Sequence, residues 1–201
     1  RDPLAQTFYV DDVTGVYLTK VDVYFQSKDT ALPVTCQIRE TLLGTPTETV
    51  IPFSEVDLYP ENITVSEDGS VASSFVFDTP VYVNGTKEYA LVLLSNSTEY
   101  KVWISRLGES DVSTLGTEAG QIIVSEQPTL GSLFKSQNGS TWTPSQYEDL
   151  KFIMYRANFV ESGTVQFYNP KLAKDLELMK TDPITSNPRR ISVGIGTTVV
   201  E

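Results

Sequence analysis

The chain has 201 residues, of which 40% are apolar, enough for one sizeable hydrophobic core and a small appendage. A formal net charge of −11 leaves no basic stripe to displace the counterions of a phosphate backbone, which excludes the usual chemistry of nucleic-acid binding. Histidine is absent and Cys36 is the single cysteine, so Ser-His-Asp and Cys-His nucleophile systems, His-containing zinc sites and an internal disulfide are excluded as well.

No apolar run reaches membrane-spanning length, and no charged-then-apolar leader opens the chain, so membrane insertion is not expected. The chain starts at Arg1-Asp2-Pro3 and stops at Val199-Val200-Glu201 within strand-like sequence, the pattern expected of a piece of something longer.

Ala5 to Val10 reads as a short strand ending at Asp11-Asp12. Val16 to Gln26 is strand-like, but Val16 and Leu18 are out of phase with Val21, Val23 and Phe25. A bulge near Thr19-Lys20 would restore one buried face. After a turn at Lys28-Asp29-Thr30, Val34 to Glu40 alternates. Cys36 shares the apolar face with Val34 and Ile38, the setting of a small buried hydrophobe rather than a nucleophile.

Glu48 to Phe53 is the next strand, and Pro52 implies an edge position or a strand end. Short pieces at Val56 to Tyr59 and Ile63 to Val65 precede a turn at Glu67-Asp68-Gly69. Val71 to Asp78 alternates, Pro80 is expected to end it, and Val81 to Val83 is then a separate brief piece before the Asn84-Gly85 turn. Tyr89 to Leu94 is apolar on both faces, as befits the centre of a sheet.

Tyr100 to Ser105 alternates again, Arg106 to Gly120 is the longest loop, and Gln121 to Val124 is a small strand. From Leu130 the chain runs through Leu133 and Phe134, turns at Asn138-Gly139, presents Trp142 and enters Leu150 to Phe159. That last segment is predicted as a closing core strand, with Leu150, Phe152 and Met154 on one face and Ile153, Tyr155, Ala157 and Phe159 on the other.

Short strands with turn signals every 8–12 residues or so, and no convincing helix before Phe159, predict an all-β antiparallel β-sandwich or jelly roll over residues 1–160. Residues 161–201 form a C-terminal extension. It holds a further strand at Thr164 to Tyr168, a short helix carrying Leu172, Leu176 and Met179, a Pro-containing linker from Thr181 to Arg190, and a lone strand at Ile191 to Val200. That strand has no evident partner within the chain, so it is expected to lead into another unit or to pair with another chain by strand addition.

Four side-chain groupings invite a chemical reading. Trp142 and Tyr147, with Trp103, could offer flat apolar faces to a sugar, with Glu148 or Asp149 accepting hydroxyl bonds. The competing reading makes Trp142 a plug at the end of the sandwich, and it is the stronger because large aromatics dominate core energetics. Asp11-Asp12, Glu67-Asp68 and Glu148-Asp149 are acidic pairs near turns, but none follows the spacing of a calcium-binding loop, so no metal or other cofactor is expected. Asn62, Asn84, Asn96 and Asn138 open Asn-X-Ser/Thr triplets, which a turn-rich sequence also produces by chance. Two carboxylates in a cleft could hydrolyse a glycoside, yet nothing among 26 acidic residues selects a pair, so no enzymatic activity is expected.

Asp2-Pro3-Leu4-Ala5-Gln6-Thr7-Phe8, Gly15-Val16-Tyr17-Leu18-Thr19-Lys20-Val21-Asp22-Val23-Tyr24-Phe25, Leu32-Pro33-Val34 and Gln37-Ile38-Arg39 together resemble a domain of large virion proteins of tailed bacteriophages. The resemblance continues through Glu88 to Ser95, Ser132 to Ser136, Trp142 and Asp149 to Phe152, and so covers roughly Asp2 to Phe159. It is similar in particular to baseplate or tail-fibre-associated proteins of myoviruses infecting cyanobacteria. The resemblance implies a structural, non-enzymatic β-sandwich module of the phage tail, located in the virion, with other tail subunits or further copies of the chain as partners. The alternative it leaves open is a carbohydrate-binding module that recognises a glycan on the host surface.

Overall fold

A computed structural model describes residues 2–116, 120–127, 131–159, 162, 164, 191–194 and 197–200. The strands in chain order are β1 (Leu4–Val10), β2 (Val16–Ser27), β3 (Val34–Leu42), β4 (Thr45–Val50), β5 (Val56–Leu58), β6 (Ala72–Val83), β7 (Lys87–Ser95), β8 (Lys101–Val102), β9 (Ile104–Arg106), β10 (Leu133–Ser136), β11 (Trp142–Ser145), β12 (Glu148–Leu150), β13 (Phe152–Arg156), β14 (Ile191–Gly194) and β15 (Thr197–Val200). Helical structure among the described residues is limited to two single 3₁₀ turns, Pro60–Asn62 and Val112–Thr114. The chain divides into two compact units, residues 1–158 and 159–201.

The first unit is the expected all-β antiparallel sandwich. Its larger sheet runs β11-β10-β1-β7-β3-β4, with β5 also on β3; its smaller sheet runs β13-β2-β6, with β8 on β2. The core lies between them. Phe8 and Val10 of β1, Val34, Cys36 and Ile38 of β3, and Tyr89, Leu91 and Leu93 of β7 meet Leu18, Val21, Val23 and Phe25 of β2 and Phe75, Phe77, Val81 and Val83 of β6. Each such side chain contributes ~1.5–3 kcal/mol on leaving water, so period-two alternation on both sheets is what fixes the sandwich. β7, flanked by β1 and β3, is the central strand expected from its two-sided apolar run. Cys36 is fully buried, and burial pushes its thiol well above the usual range.

The phase change in β2 is resolved as the sequence requires. Lys20 opposes Tyr155 and Leu18 opposes Arg156, so Thr19 is an extra residue against β13 and moves Leu18 and Val21 onto one buried face. On the other side of β2, Leu18 pairs with Val81 and Lys20 with Val76, so the four residues Phe77 to Pro80 stand against Thr19 alone, with Phe77 still turned into the core. This corrects the expectation that Pro80 ends a strand. β6 continues to Val83 because the proline, which has no N–H to donate, sits where the ladder is already interrupted.

β4 also differs from expectation, running from Thr45 to Val50 and ending before Pro52. Between β4 and β5, both partners of β3, the ladder is completed by a side chain. The buried Ser54 hydroxyl accepts from Ile38 N (3.1 Å) and lies 2.7 Å from Ile51 O, to which it donates. The strand expected at Ile63 to Val65 is reduced to one parallel bridge, Val65 to Phe25. Likewise Gln121 to Val124 forms only the bridge Ser110–Ile123, supported by Gly108 N to Val124 O and Val124 N to Glu109 O at 2.9 Å each.

The expected closing core strand is split at Lys151. β12 pairs with β9, whereas β13 flanks the smaller sheet. Phe152 and Met154 pack against the core while remaining partly exposed, and Ile153 and Tyr155 face outward. The break falls where the 101–106 segment changes partner: Trp103 N donates to Tyr24 O of β2 (2.9 Å), and the Trp103 carbonyl accepts from Lys151 N (3.0 Å), between β12 and β13.

In the second unit, the lone strand expected at Ile191 to Val200 is instead an antiparallel hairpin, Ile191 opposite Val200 and Gly194 opposite Thr197. The strand at 164–168, the helix around Leu172, Leu176 and Met179, and the linker lie, apart from Thr164, outside the described residues.

Candidate functional site

The outward face of the smaller sheet is the most distinctive surface of the first unit. Once Thr19 has shifted the phase of β2, Tyr17, Lys20, Asp22 and Tyr24 point away from the core. Directly opposite them, and hence on the same face, stand Tyr82, Val76 and Ser74 of β6 and Tyr155 and Ile153 of β13. Five of these are large and exposed: Tyr17, Val76, Tyr82, Ile153 and Tyr155 are between 36% and 58% accessible.

At the centre lies a satisfied polar network. Lys20 Nζ is 3.2 Å from Asp22 Oδ1, and Ser74 Oγ donates to the same oxygen at 2.5 Å. Burial works against ionisation of Asp22, but hydrogen bonds from Ser74, Tyr155 and Lys20 outweigh it and hold the carboxyl below its ordinary value. The same bond to Asp22 pushes the Tyr155 hydroxyl up. Lys20 Nζ also sits 4.0 Å over the Tyr155 ring, and Lys151 Nζ lies 4.8 Å over that of Tyr24.

Toward the other end, the Tyr17 and Tyr82 rings are tilted at 48° with centroids 5.0 Å apart, and Tyr82 donates to Thr14 O at 3.0 Å. Gly15, at φ +76°, permits that approach, since a Cβ there would lie 2.5 Å from Val83 O. Arg156 and Asp12 close this margin with a 3.5 Å ion pair. The face therefore combines tyrosines, aliphatic side chains and cations around a polar centre whose partners are already in place, so covering it leaves the Asp22 carboxylate paired.

The residues singled out in the sequence for sugar binding do not form one platform. Trp142 is 9% exposed and packs with Ala5, Ala90, Val92 and Phe134 in a second apolar cluster on the outer face of the larger sheet, its Nε1 lacking a partner. Trp103 is half-buried against the 66–69 turn, its Nε1 donating to Ser66 O at 3.0 Å. Tyr147 is 63% exposed in the turn between β11 and β12.

The acids beside them are engaged. Glu148 accepts from Lys135 and from Ser145 Oγ (2.8 Å), bonds that hold its carboxyl below the usual range. Asp149, 4% exposed, accepts from Gln6 Nε2 at 3.0 Å, with Oδ2 unpartnered. Asp12 and Asp68 accept from the amides of Thr14 and Ser70 and so close their own turns. Among the described residues, no three His, Cys, Asp or Glu side chains converge as a metal site would need.

A cleft of about 450 Å³ opens at one end of the sandwich between Leu4, Phe25, Tyr100, Lys101, Val102 and Leu133. Phe25 and Leu133 beneath it belong to the core and have no exposure.

Sequence reading passed over the tyrosine face. Its signal was present in the outward positions of the alternating strands, but only the pairing of β2 with β6 and β13 assembles Tyr17, Tyr82 and Tyr155 on one surface. Comparison of the chain with protein-family models, with curated proteins and with solved structures gives no match.

Proposed function

We propose that this chain is a non-enzymatic structural and interaction module of a tailed-phage virion, in its baseplate or fibre apparatus, that docks on a neighbouring subunit through the outward face of the smaller sheet. The observation that carries the docking reading is the exposed grouping of Tyr17, Tyr82, Tyr155, Val76 and Ile153 around the Lys20–Asp22–Ser74 network. Tyrosines with cations at their margin are the composition of interface hot spots. Lys151, whose Nζ lies 4.8 Å over the outward Tyr24 ring, stands out on this face in a chain of net charge −11, and it suits an acidic surface on the partner. The virion assignment is supported by the resemblance of residues 2–159 to tail structural proteins.

The test is made on purified particles. Peptides of this chain are expected in the virion, and amine-directed crosslinks from Lys20 and Lys151 are expected to reach a neighbouring subunit. A chain carrying both Val76→Asp and Ile153→Asp is expected to stay folded, because both side chains are exposed, and to fail to incorporate. Absence of the chain from particles would remove the virion role. Normal incorporation of the double variant would remove this face as the docking surface.

A further inference from the structure

The two Asn-Gly steps of the first unit, Asn84-Gly85 and Asn138-Gly139, are held very differently. At Asn138 every reacting group is occupied. Gly139 N donates to Ser136 Oγ (2.8 Å), and Asn138 Oδ1 accepts from Ser140 N (3.1 Å) and Thr141 N (2.8 Å) while Nδ2 donates to Thr141 Oγ1 (3.3 Å). At Asn84 the residue's own amide donates to Tyr89 Oη (2.9 Å), which fixes the turn, but among the described residues neither the Asn84 side chain nor Gly85 N has a hydrogen-bond partner. Asn84 is exposed.

We infer that Asn84 is a site of spontaneous deamidation and isoaspartate formation, and that the fold protects Asn138 from the same reaction. The Gly85 amide nitrogen, having lost its proton to water, attacks Cγ of Asn84. A C–N bond forms, the Cγ–NH₂ bond breaks, and ammonia leaves with a proton regained from solvent, giving a five-membered succinimide. Water then opens either ring carbonyl, yielding aspartate or isoaspartate; nothing is oxidised or reduced. Glycine at the following position leaves the attacking nitrogen unhindered by a side chain.

The location gives the modification a consequence. Gly85 lies so close to the 12–13 backbone that a Cβ on it would be 1.9 Å from Asp12 O. An isoaspartyl link adds a methylene to the main chain and a carboxylate beside Asp12, at the margin where Asp12 pairs with Arg156. The product therefore reshapes the end of the tyrosine face, next to Thr14 and Tyr82.

The experiment incubates the full folded chain at neutral to mildly alkaline pH and maps peptides by mass spectrometry, with isoaspartyl methyltransferase labelling to identify isoaspartate. Conversion at Asn84 is expected to run roughly ten- to a hundredfold faster than at Asn138, since the latter must first open two or more hydrogen bonds. In denaturant the two rates are expected to converge. Ser136→Ala, which frees Gly139 N, is expected to speed conversion at Asn138 in the folded chain. Equal rates at the two sites in the folded chain, faster conversion at Asn138, or an unchanged amide at Asn84 would each overturn the inference.

Discussion

Replacing Gln6 by Ala tests the most consequential polar contact of the sandwich. Gln6 is fully buried on the inner face of β1; its Nε2 donates to Asp149 Oδ1 (3.0 Å) and its Oε1 accepts from Leu150 N (2.9 Å). The variant removes a hydrogen bond to a carboxylate, worth ~1.5–3 kcal/mol, and strands a buried N–H, which costs ~1–3 kcal/mol, so the expected destabilisation is about 3–6 kcal/mol. That is a large part of the ~5–15 kcal/mol typical of a domain. The effect should also depend on pH in a set direction. Burial raises the Asp149 carboxyl above its ordinary value, against the Gln6 bond that favours the charged form. A raised folded value means that the ionised carboxylate opposes folding at neutral pH, and that the penalty fades as pH falls through the folded value toward the unfolded one near 3.8. Without Gln6 the folded value rises further. The deficit of Gln6→Ala relative to the parent should therefore be larger at about pH 7 than at about pH 4.5. Urea unfolding of the parent, Gln6→Ala and the volume-preserving Gln6→Leu at both pH values measures this. A loss below about 1 kcal/mol, or a deficit that does not shrink on acidification, would refute the reasoning.

Three further outcomes are expected. Ser54→Ala should cost about 1–3 kcal/mol in urea unfolding, because it leaves Ile38 N unpaired between β4 and β5; a neutral result would mean that water replaces the hydroxyl there. Phe152→Ala should cost about 2 kcal/mol rather than the ~3–5 of a fully buried phenylalanine, since its ring is only half-buried on β13. The Asp29 carboxyl, bonded by Ser97 Oγ and by the amides of Ala31 and Leu32, should titrate at about 2, as read by NMR of the side-chain carboxyl. Its folded value is depressed, so its stabilisation is present above the unfolded value of 3.8 and is lost as pH falls toward about 2; a midpoint near 3.8 would contradict the geometry.

Legibility in the sequence followed the range of the interaction concerned. The strand at Tyr89 to Leu94, the burial of Cys36 and the irregularity at Thr19 were all readable, because each depends on alternation within one strand. Pro80 was misleading for the opposite reason: whether a proline ends a strand depends on the partner's ladder, and here β2 leaves a gap at that point. The split of Leu150 to Phe159 into β12 and β13 falls at Lys151, whose N bonds to the carbonyl of Trp103 nearly fifty residues earlier in the chain, a pairing that no local pattern reports. The candidate site was the least legible part. Trp142 drew attention by its type, yet in the fold it covers the back of the larger sheet, while the tyrosines of β2, β6 and β13 look unremarkable until the strands are paired.

By itself, then, the sequence determined that this chain is an all-β protein with an acidic surface, without histidine chemistry, and with a core built from alternating strands. Those properties follow from composition and from the two-residue repeat of an extended backbone, which each segment carries independently of the others. Only the tertiary structure decided which strands lie side by side, and with that the tyrosine face, the Gln6–Asp149 contact through the core and the contrast between Asn84 and Asn138. All of these join residues far apart in the chain or depend on which backbone groups the packing leaves free, and side-chain alternation carries no information on either.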